Sequence, residues 1–195
     1  WKPGDIVLTS PMTFLATANC IIYAGATPDF VDIDPLAYTI DPNLVEEKIK
    51  IYQSKGKKVK AIIGVDYAGH PCDWESLRYL SNKFNISLIN DNCHALGSSY
   101  KDDFKYAVKY SDIAIQSYHP VKAITTGEGG SILTNDKKID SFVKIYRNHG
   151  IEKNEKLTLT KGLWYYEMNK LGYNYRITDF QCALGISQLS KLDTF

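Results

Sequence analysis

Apolar and polar positions along the chain switch between a period of two and a period of about 3.6, and each switch marks an element. "DIVLT" at 5–9 reads as a short buried strand, after which Ser10 is placed to cap a helix with Pro11 at its first position. "PDFVDI" at 28–33 reads as a second strand. Asp41 then caps a helix begun by Pro42, with Val45, Lys48, Ile49 and Tyr52 at helical spacing. "VKAIIGV" at 59–65 is apolar almost throughout, the signature of a strand covered on both faces. Asp73 opens a helix that turns Trp74, Leu77, Leu80 and Phe84 inward. "ISLIN" (86–90), "DIAIQS" (112–117) and "SILT" (131–134) continue the series of strands, and helix 137–148 carries Ile139, Phe142, Val143 and Tyr146 along one face.

Strands alternating with helices predict an α/β domain, a mostly parallel sheet with helices on both faces. Residues 150–170 break the rhythm, polar and then aromatic, and read as a long loop or an excursion toward a partner. Thr178 and Gln181 then form a capping box, with Ile177 and Cys182 placed as a hydrophobic staple. The helix that follows, 179–192, carries Phe180 and Leu184 on one side and Cys182, Ile186 and Leu189 on another. A helix apolar on two sides needs cover on two sides, from absent chain or from a second subunit.

Composition narrows the picture. A chain of 195 residues with a formal charge of +1 has no charge excess to draw it to nucleic acid or an anionic membrane. No apolar run approaches the roughly 20 residues of a membrane span. Cys20, Cys72, Cys93 and Cys182 are scattered without a Cys-x-x-Cys pair, which suits free thiols in a reducing cytosol and makes no zinc site. The chain begins at Trp1 in mid-pattern without a leader, as a fragment would.

Ligands of open parallel sheets sit beyond the carboxyl ends of the strands, and chemistry-bearing residues fall at three such ends. Asp91 closes the strand in "INDNCHALG"; Ser117 and Lys122 follow the next in "SYHPVKAITTGEGG"; Thr13 and Phe14 belong to the first helical turn after the opening strand. Each has an ordinary reading. Lys122 alone is a loop lysine, Asp91 alone caps a turn, Phe14 alone is core, and His94 and His119 are packed histidines. Together a lysine, a carboxylate, a hydroxyl and an aromatic ring on one rim are the parts of a pyridoxal phosphate site. The amine holds the coenzyme, the carboxylate keeps its ring nitrogen protonated, the hydroxyl meets its phosphate, and the aromatic ring stacks on its face.

"GDIVLTSPMTFLATANCIIYAGATPDFVDID", "DNCHALGSSY", "SYHPVKAITTGEGG", "RNHGI" and "GYNYRITDFQCALGISQLSKLD" together resemble the sugar aminotransferases of the DegT/DnrJ/EryC1/StrS family, fold type I pyridoxal phosphate enzymes. The resemblance runs over nearly the whole chain. "HPVKAITTGEGG" and "LWYYEMNKLGYNYRITDF" are most similar to the pseudaminic acid branch, which aminates C4 of a UDP-linked 4-keto-6-deoxy-N-acetylhexosamine.

The resemblance implies that Lys122 holds the coenzyme, Asp91 pairs with its ring nitrogen and His94 lies on its hydroxyl side. It further implies that Ser117 binds the phosphate, Phe14 stacks on the ring, and Asn174 reaches the phosphate in a neighbouring subunit. It also implies a homodimer with shared sites, an amino acid donor (glutamate) and a nucleotide-linked keto-sugar acceptor. By this likeness 1–176 is the coenzyme-binding large domain without its N-terminal part, and 177–195 leads toward an absent C-terminal small domain. The family's upstream phosphate loop is missing, and Asn92 and Cys93 stand where small residues are commoner.

Three other readings are weighed against this one. A coenzyme-dependent sugar dehydratase of the same family commonly replaces the lysine with histidine, so Lys122 opposes it. A non-catalytic sensor or assembly module would not need Asp91, Ser117 and Lys122 together. A dinucleotide-binding domain lacks its Gly-x-Gly-x-x-Gly after the first strand.

Overall fold

The computed structural model describes residues 1–152 and 155–195. Strand β1 (Ile6–Thr9) leads into α1 (Leu15–Tyr23), then β2 (Thr27–Phe30), α2 (Pro42–Ser54), β3 (Val59–Val65), α3 (Trp74–Phe84) and β4 (Ser87–Asp91). There follow α4 (Tyr106–Tyr110), β5 (Ile113–Ser117), β6 (Gly130–Leu133), α5 (Lys137–Tyr146), β7 (Ile151–Glu152), α6 (Glu155–Lys161), β8 (Glu167–Met168) and α7 (Asp179–Leu189). The main sheet has the order β2-β1-β3-β4-β5-β6. Its first four pairings are parallel, and β6 returns antiparallel to β5.

Period-two alternation sends neighbouring side chains to opposite layers. Ile6, Leu8, Ile62, Leu88 and Ala114 join Val45 and Ile49 of α2, Trp74, Leu77 and Leu80 of α3, and Tyr106 of α4 in the larger core. Val7, Ala61 and Ile63 turn the other way, against Ile21 of α1. The expected architecture is therefore present. Register carries it to the rim: Val65, Asp91 and Ile115 stand side by side at the ends of β3, β4 and β5.

Asp41 and Asp73 cap α2 and α3 as their positions suggest, accepting from Asn43 N–H and Ser76 N–H. The first helix departs from expectation. Ser10 Oγ is taken up in a local turn by Met12 N–H at 3.0 Å, and Phe14, in extended conformation, is the residue before the helix. Thr13 and Phe14 therefore lie in the approach to α1 and not in its first turn. The second strand ends at Phe30, short of the expected 33, and Ile33 instead bridges to Ile40. Pro28 is tolerated there because β2 is an edge strand, where a missing N–H breaks no ladder.

Helix α5 buries none of its residues fully, and Phe142 stacks on Tyr146 at 4.2 Å. The five-residue α4 has no counterpart in the sequence pattern. Residues 150–170, expected as a long loop or an excursion toward a partner, hold β7, α6 and β8, apart from 153 and 154, which are outside the described residues.

The capping box of α7 is made in full. The stripe this helix lays against the domain is polar and small. Gln181 Nε2 donates to Glu128 O at 2.9 Å, and Gly185 lies so close to Thr126 that a Cβ would come within 2.8 Å of its methyl. Phe180 stays 90% exposed and Ile186 71%, so both apolar sides of the helix are left without cover by the described chain.

Candidate active site

Consecutive residues at the end of β4 serve different layers. Asn92 points into the larger core and is 2% exposed, while Asp91 points to the layer of α1. Asn92 there joins a polar cluster around Asp66, a fully buried carboxylate just past β3. Asp66 Oδ1 accepts from Cys72 N–H and Trp74 Nε1–H, both at 2.9 Å. Its Oδ2 accepts from Asn92 Nδ2 at 2.9 Å and Tyr106 O–H at 2.7 Å, and Gln116 Nε2 donates to Asn92 Oδ1 at 3.1 Å. Burial raises the Asp66 carboxyl above its ordinary value, and these donors pull it part of the way back.

The cluster ties β3, α3, β4, α4 and β5 together directly beneath the rim. It accounts for Asn92 where a small residue was expected. Asp66→Ala would leave several buried donors unpaired, each costing about 1–3 kcal/mol. Urea unfolding of the full-length protein should show a loss of about 3 kcal/mol or more; a change within about 0.5 kcal/mol, the range of neutral surface substitutions, would contradict this role.

On the opposite layer Asp91 Oδ2 accepts from Thr17 Oγ1 at 2.7 Å, and Oδ1 from Cys93 N–H at 3.3 Å. The carboxylate is thus gripped from α1 and from its own turn. His94 follows on the same turn, and Ala68 N–H reaches its Nδ1 at 3.3 Å. With Nδ1 accepting, the neutral ring carries its proton on Nε2. Partial burial lowers the His94 imidazole below the ordinary value, Lys122 lowers it further, and Asp91 opposes both. Cys93 is pushed up by burial first and by the Asp91 charge second, with Lys122 opposing. Lys122 is therefore an electrostatic neighbour of the turn that carries Asp91.

The loop bearing Lys122 is pinned at its base, as its place between two strands suggests. Tyr118 N–H donates to Gly129 O at 2.8 Å, and Thr126 N–H to Tyr118 O at 3.0 Å. Ile124 and Thr126 are buried, and Lys122 N–H closes a turn onto His119 O at 2.9 Å. Gly130 is required where the strands close up, since a Cβ there would stand 2.6 Å from Gln116 O. Lys122 itself is half-buried, and among the described residues no hydrogen bond or ion pair is formed by its Nζ. Ser117, also half-buried, accepts from His119 N–H at 3.3 Å, with its hydroxyl proton left for a ligand.

Two expected residues stand apart from this group. Phe14 is 69% exposed at the start of α1. Asn174 sits on a segment laced to the end of α5, where His149 N–H donates to Tyr173 O at 2.7 Å and Tyr175 N–H to Arg147 O at 2.9 Å. Asn174 faces a cavity of about 820 Å³ shared with Gly129, Gly130, Arg147 and Arg176, whose lining includes neither Lys122 nor Asp91. A larger cavity of about 910 Å³, between the starts of α2 and α3, also excludes both.

Sequence reasoning did not single out Thr17 or Asp66. Thr13 and Thr17, four residues apart on either side of a helix start, were the available signal for the first. An aspartate directly after the apolar strand "VKAIIGV" was the signal for the second.

A lysine with an unengaged amine, an oriented carboxylate, a hydroxyl and a nearby imidazole, all at the carboxyl ends of parallel strands, make a candidate site on an α/β fold whose chemistry suits an aldehyde-bearing, anionic coenzyme. Comparison with known proteins gives the family. The DegT/DnrJ/EryC1/StrS aminotransferase family matches over residues 1–195, and the chain belongs to that family.

The UDP-4-amino-4,6-dideoxy-N-acetyl-beta-L-altrosamine transaminase of Campylobacter jejuni (strain 81-176) is 45% identical over 189 residues, 96% of this chain and 46% of that protein. Helicobacter pylori PseC, an aminotransferase involved in the biosynthesis of pseudoaminic acid, superposes with a TM-score of 0.86 at 34% identity, over 98% of this chain and 47% of its own. The Streptococcus pneumoniae sugar aminotransferase Spr1654 in its PMP form gives 0.85 at 31% identity, over 99% of this chain and 52% of its own. The chain thus spans about half the length of the relatives it matches.

Proposed function

We propose that this chain is the coenzyme-binding part of a pyridoxal phosphate-dependent aminotransferase that carries nitrogen from an amino acid, glutamate by family likeness, to C4 of a UDP-linked 4-keto-6-deoxy-N-acetylhexosamine. The observation that carries the reading is that Asp91 and the loop bearing Lys122 lie at the ends of the adjacent parallel strands β4 and β5, with Asp91 already held by a neutral donor. When bound, the coenzyme supplies an electron sink for the carbon that gains or loses a proton. Lys122 Nζ would hold it and would be the group that moves a proton to and from the substrate carbon. Asp91 keeps a proton on the ring nitrogen, Ser117 donates to the phosphate, and His94 offers its Nε2–H on the hydroxyl side.

The residues present fit that group. The anchor amine is unengaged, and the carboxylate is fixed on the α1 side by a hydroxyl. The four free cysteines suit a reducing cytosol, and among the described residues no helix is long and apolar enough to cross a membrane. The test uses the full-length protein. Glutamate should bleach the coenzyme's visible band, and the UDP-linked 4-keto sugar should restore it. Restoration by a TDP-linked sugar alone would reassign the acceptor, and no bleaching by any amino acid would reject an aminotransferase.

The exposed Asn174 and the uncovered sides of α7 support an isologous homodimer in which each site receives Asn174 from the other chain. Mixing full-length Lys122→Ala and Asn174→Ala variants should restore part of the activity, because one mixed site has both Lys122 and Asn174. Hetero-dimers seen by light scattering with no activity would reject the shared site.

A further inference from the structure

Thr17 is 4% exposed, yet its side chain makes two short polar contacts, to Asp91 Oδ2 and to Thr13 Oγ1, each at 2.7 Å. A hydroxyl has one proton to give. Asp91 carries no proton in its charged form, so Thr17 donates to it, and the Thr17 oxygen accepts from Thr13. The direction of the whole chain is thereby set: Thr13 to Thr17 to Asp91. Donors in series polarise one another, which strengthens the bond that reaches the carboxylate.

We propose that Thr17, backed by Thr13, is a positioning residue that fixes the orientation of Asp91. This rests on the assignment of Asp91 to the coenzyme's ring nitrogen. A carboxylate that rotates away from the ring nitrogen leaves it without its partner. The Thr17 hydroxyl opposes that rotation by holding Oδ2 in place.

The other groups facing Asp91 hold it less well. Cys93 N–H is a longer contact at 3.3 Å, and Cys20, beside it on α1, spends its thiol on Thr17 O. His94 and Lys122 act on this region by charge and not by a hydrogen bond to Asp91. The helix start is part of the device as well. Thr13 precedes Phe14, so the approach to α1 is tied to Asp91 through two hydroxyls.

The test is made on the full-length enzyme loaded with pyridoxal phosphate labelled with ¹⁵N in the ring, reading the ring-nitrogen NMR shift, kcat, and KM for glutamate. Thr17→Val keeps the shape and removes the donor. Its ring-nitrogen signal should move toward the unprotonated position and toward that of Asp91→Asn, with kcat down about tenfold and KM changed less than about twofold, the pattern of a loss confined to the transition state. Thr17→Ser should keep the wild-type signal, and Thr13→Val should move it part of the way.

If Thr17→Val keeps the wild-type signal while Asp91→Asn shifts it, the positioning role is wrong and the site assignment stands. If Asp91→Asn itself leaves the signal unmoved, the site assignment fails first. Should Thr17→Val not fold, Thr17→Ala and Thr13→Val are read in its place, and wild-type signals in both overturn the proposal. A Thr17→Ser enzyme as impaired as Thr17→Val would assign the effect to the methyl group and overturn it too.

Discussion

Full-length protein carrying Lys122→Ala is expected to lose turnover by about 10⁴-fold or more, since in the proposed site one side chain is both the covalent anchor and the proton carrier. The structure gives no substitute. The loop is pinned through Tyr118, Thr126 and Gly129, so another lysine cannot be drawn in by a small rearrangement. Borohydride reduction followed by peptide mapping should label Lys122 in the wild type and nothing in the variant. A label on a different lysine, or a variant within about tenfold of wild type, would remove Lys122 from the mechanism. Folding should hardly change, because Lys122 Nζ makes no hydrogen bond or ion pair among the described residues.

Asp91→Asn is expected to lower kcat by about 10²–10³-fold, or about 3–4 kcal/mol in barrier. The substitution keeps the size and removes the charge that, in the proposed site, would hold the ring nitrogen protonated. The amide oxygen it introduces can still accept from Thr17, so thermal stability should stay close to wild type. This separates the catalytic role from a turn cap. Cys93 N–H does bond Asp91 Oδ1, at 3.3 Å, so the capping contact exists; its length and the 2.7 Å bond from Thr17 favour the other role. Turnover within about threefold of wild type would return Asp91 to the turn.

The stronger of these effects could be argued from the sequence alone, and the reason is local. A parallel α/β sheet repeats a strand, a rim loop and a helix, and each part has its own signature in neighbouring residues. "VKAIIGV" is buried on all but one position because both faces of a central strand are covered. Asp41 with Pro42, and Asp73, mark helix starts through contacts two or three residues away. Once the strand ends are known, Asp91, Ser117 and Lys122 fall on one rim by the rule that parallel strands share a direction.

Where the pattern misled, longer-range contacts had overridden it. Ser10 and Pro11 have the chemistry of a helix start, but the chain spends Ser10 on a turn and begins α1 at Leu15, which brings Thr17 over Asp91. Helix α7 shows what the pattern left unsaid: its two apolar sides are uncovered, as the need for absent chain or a second subunit implied, and it is Gln181 and Gly185 that face the domain.

The sequence by itself determined the order of the six main strands with α1, α2, α3, α5 and α7, and the rim on which the candidate residues Lys122 and Asp91 fall, since these depend on periodicity and on residues within one turn of each other. The tertiary structure alone decided what holds Asp91 and what lies beneath it. Thr17 is 74 residues from Asp91, and Tyr106 is 40 from Asp66. Bonds of that span depend on which layer each side chain enters, and that is settled only when the strands take their register.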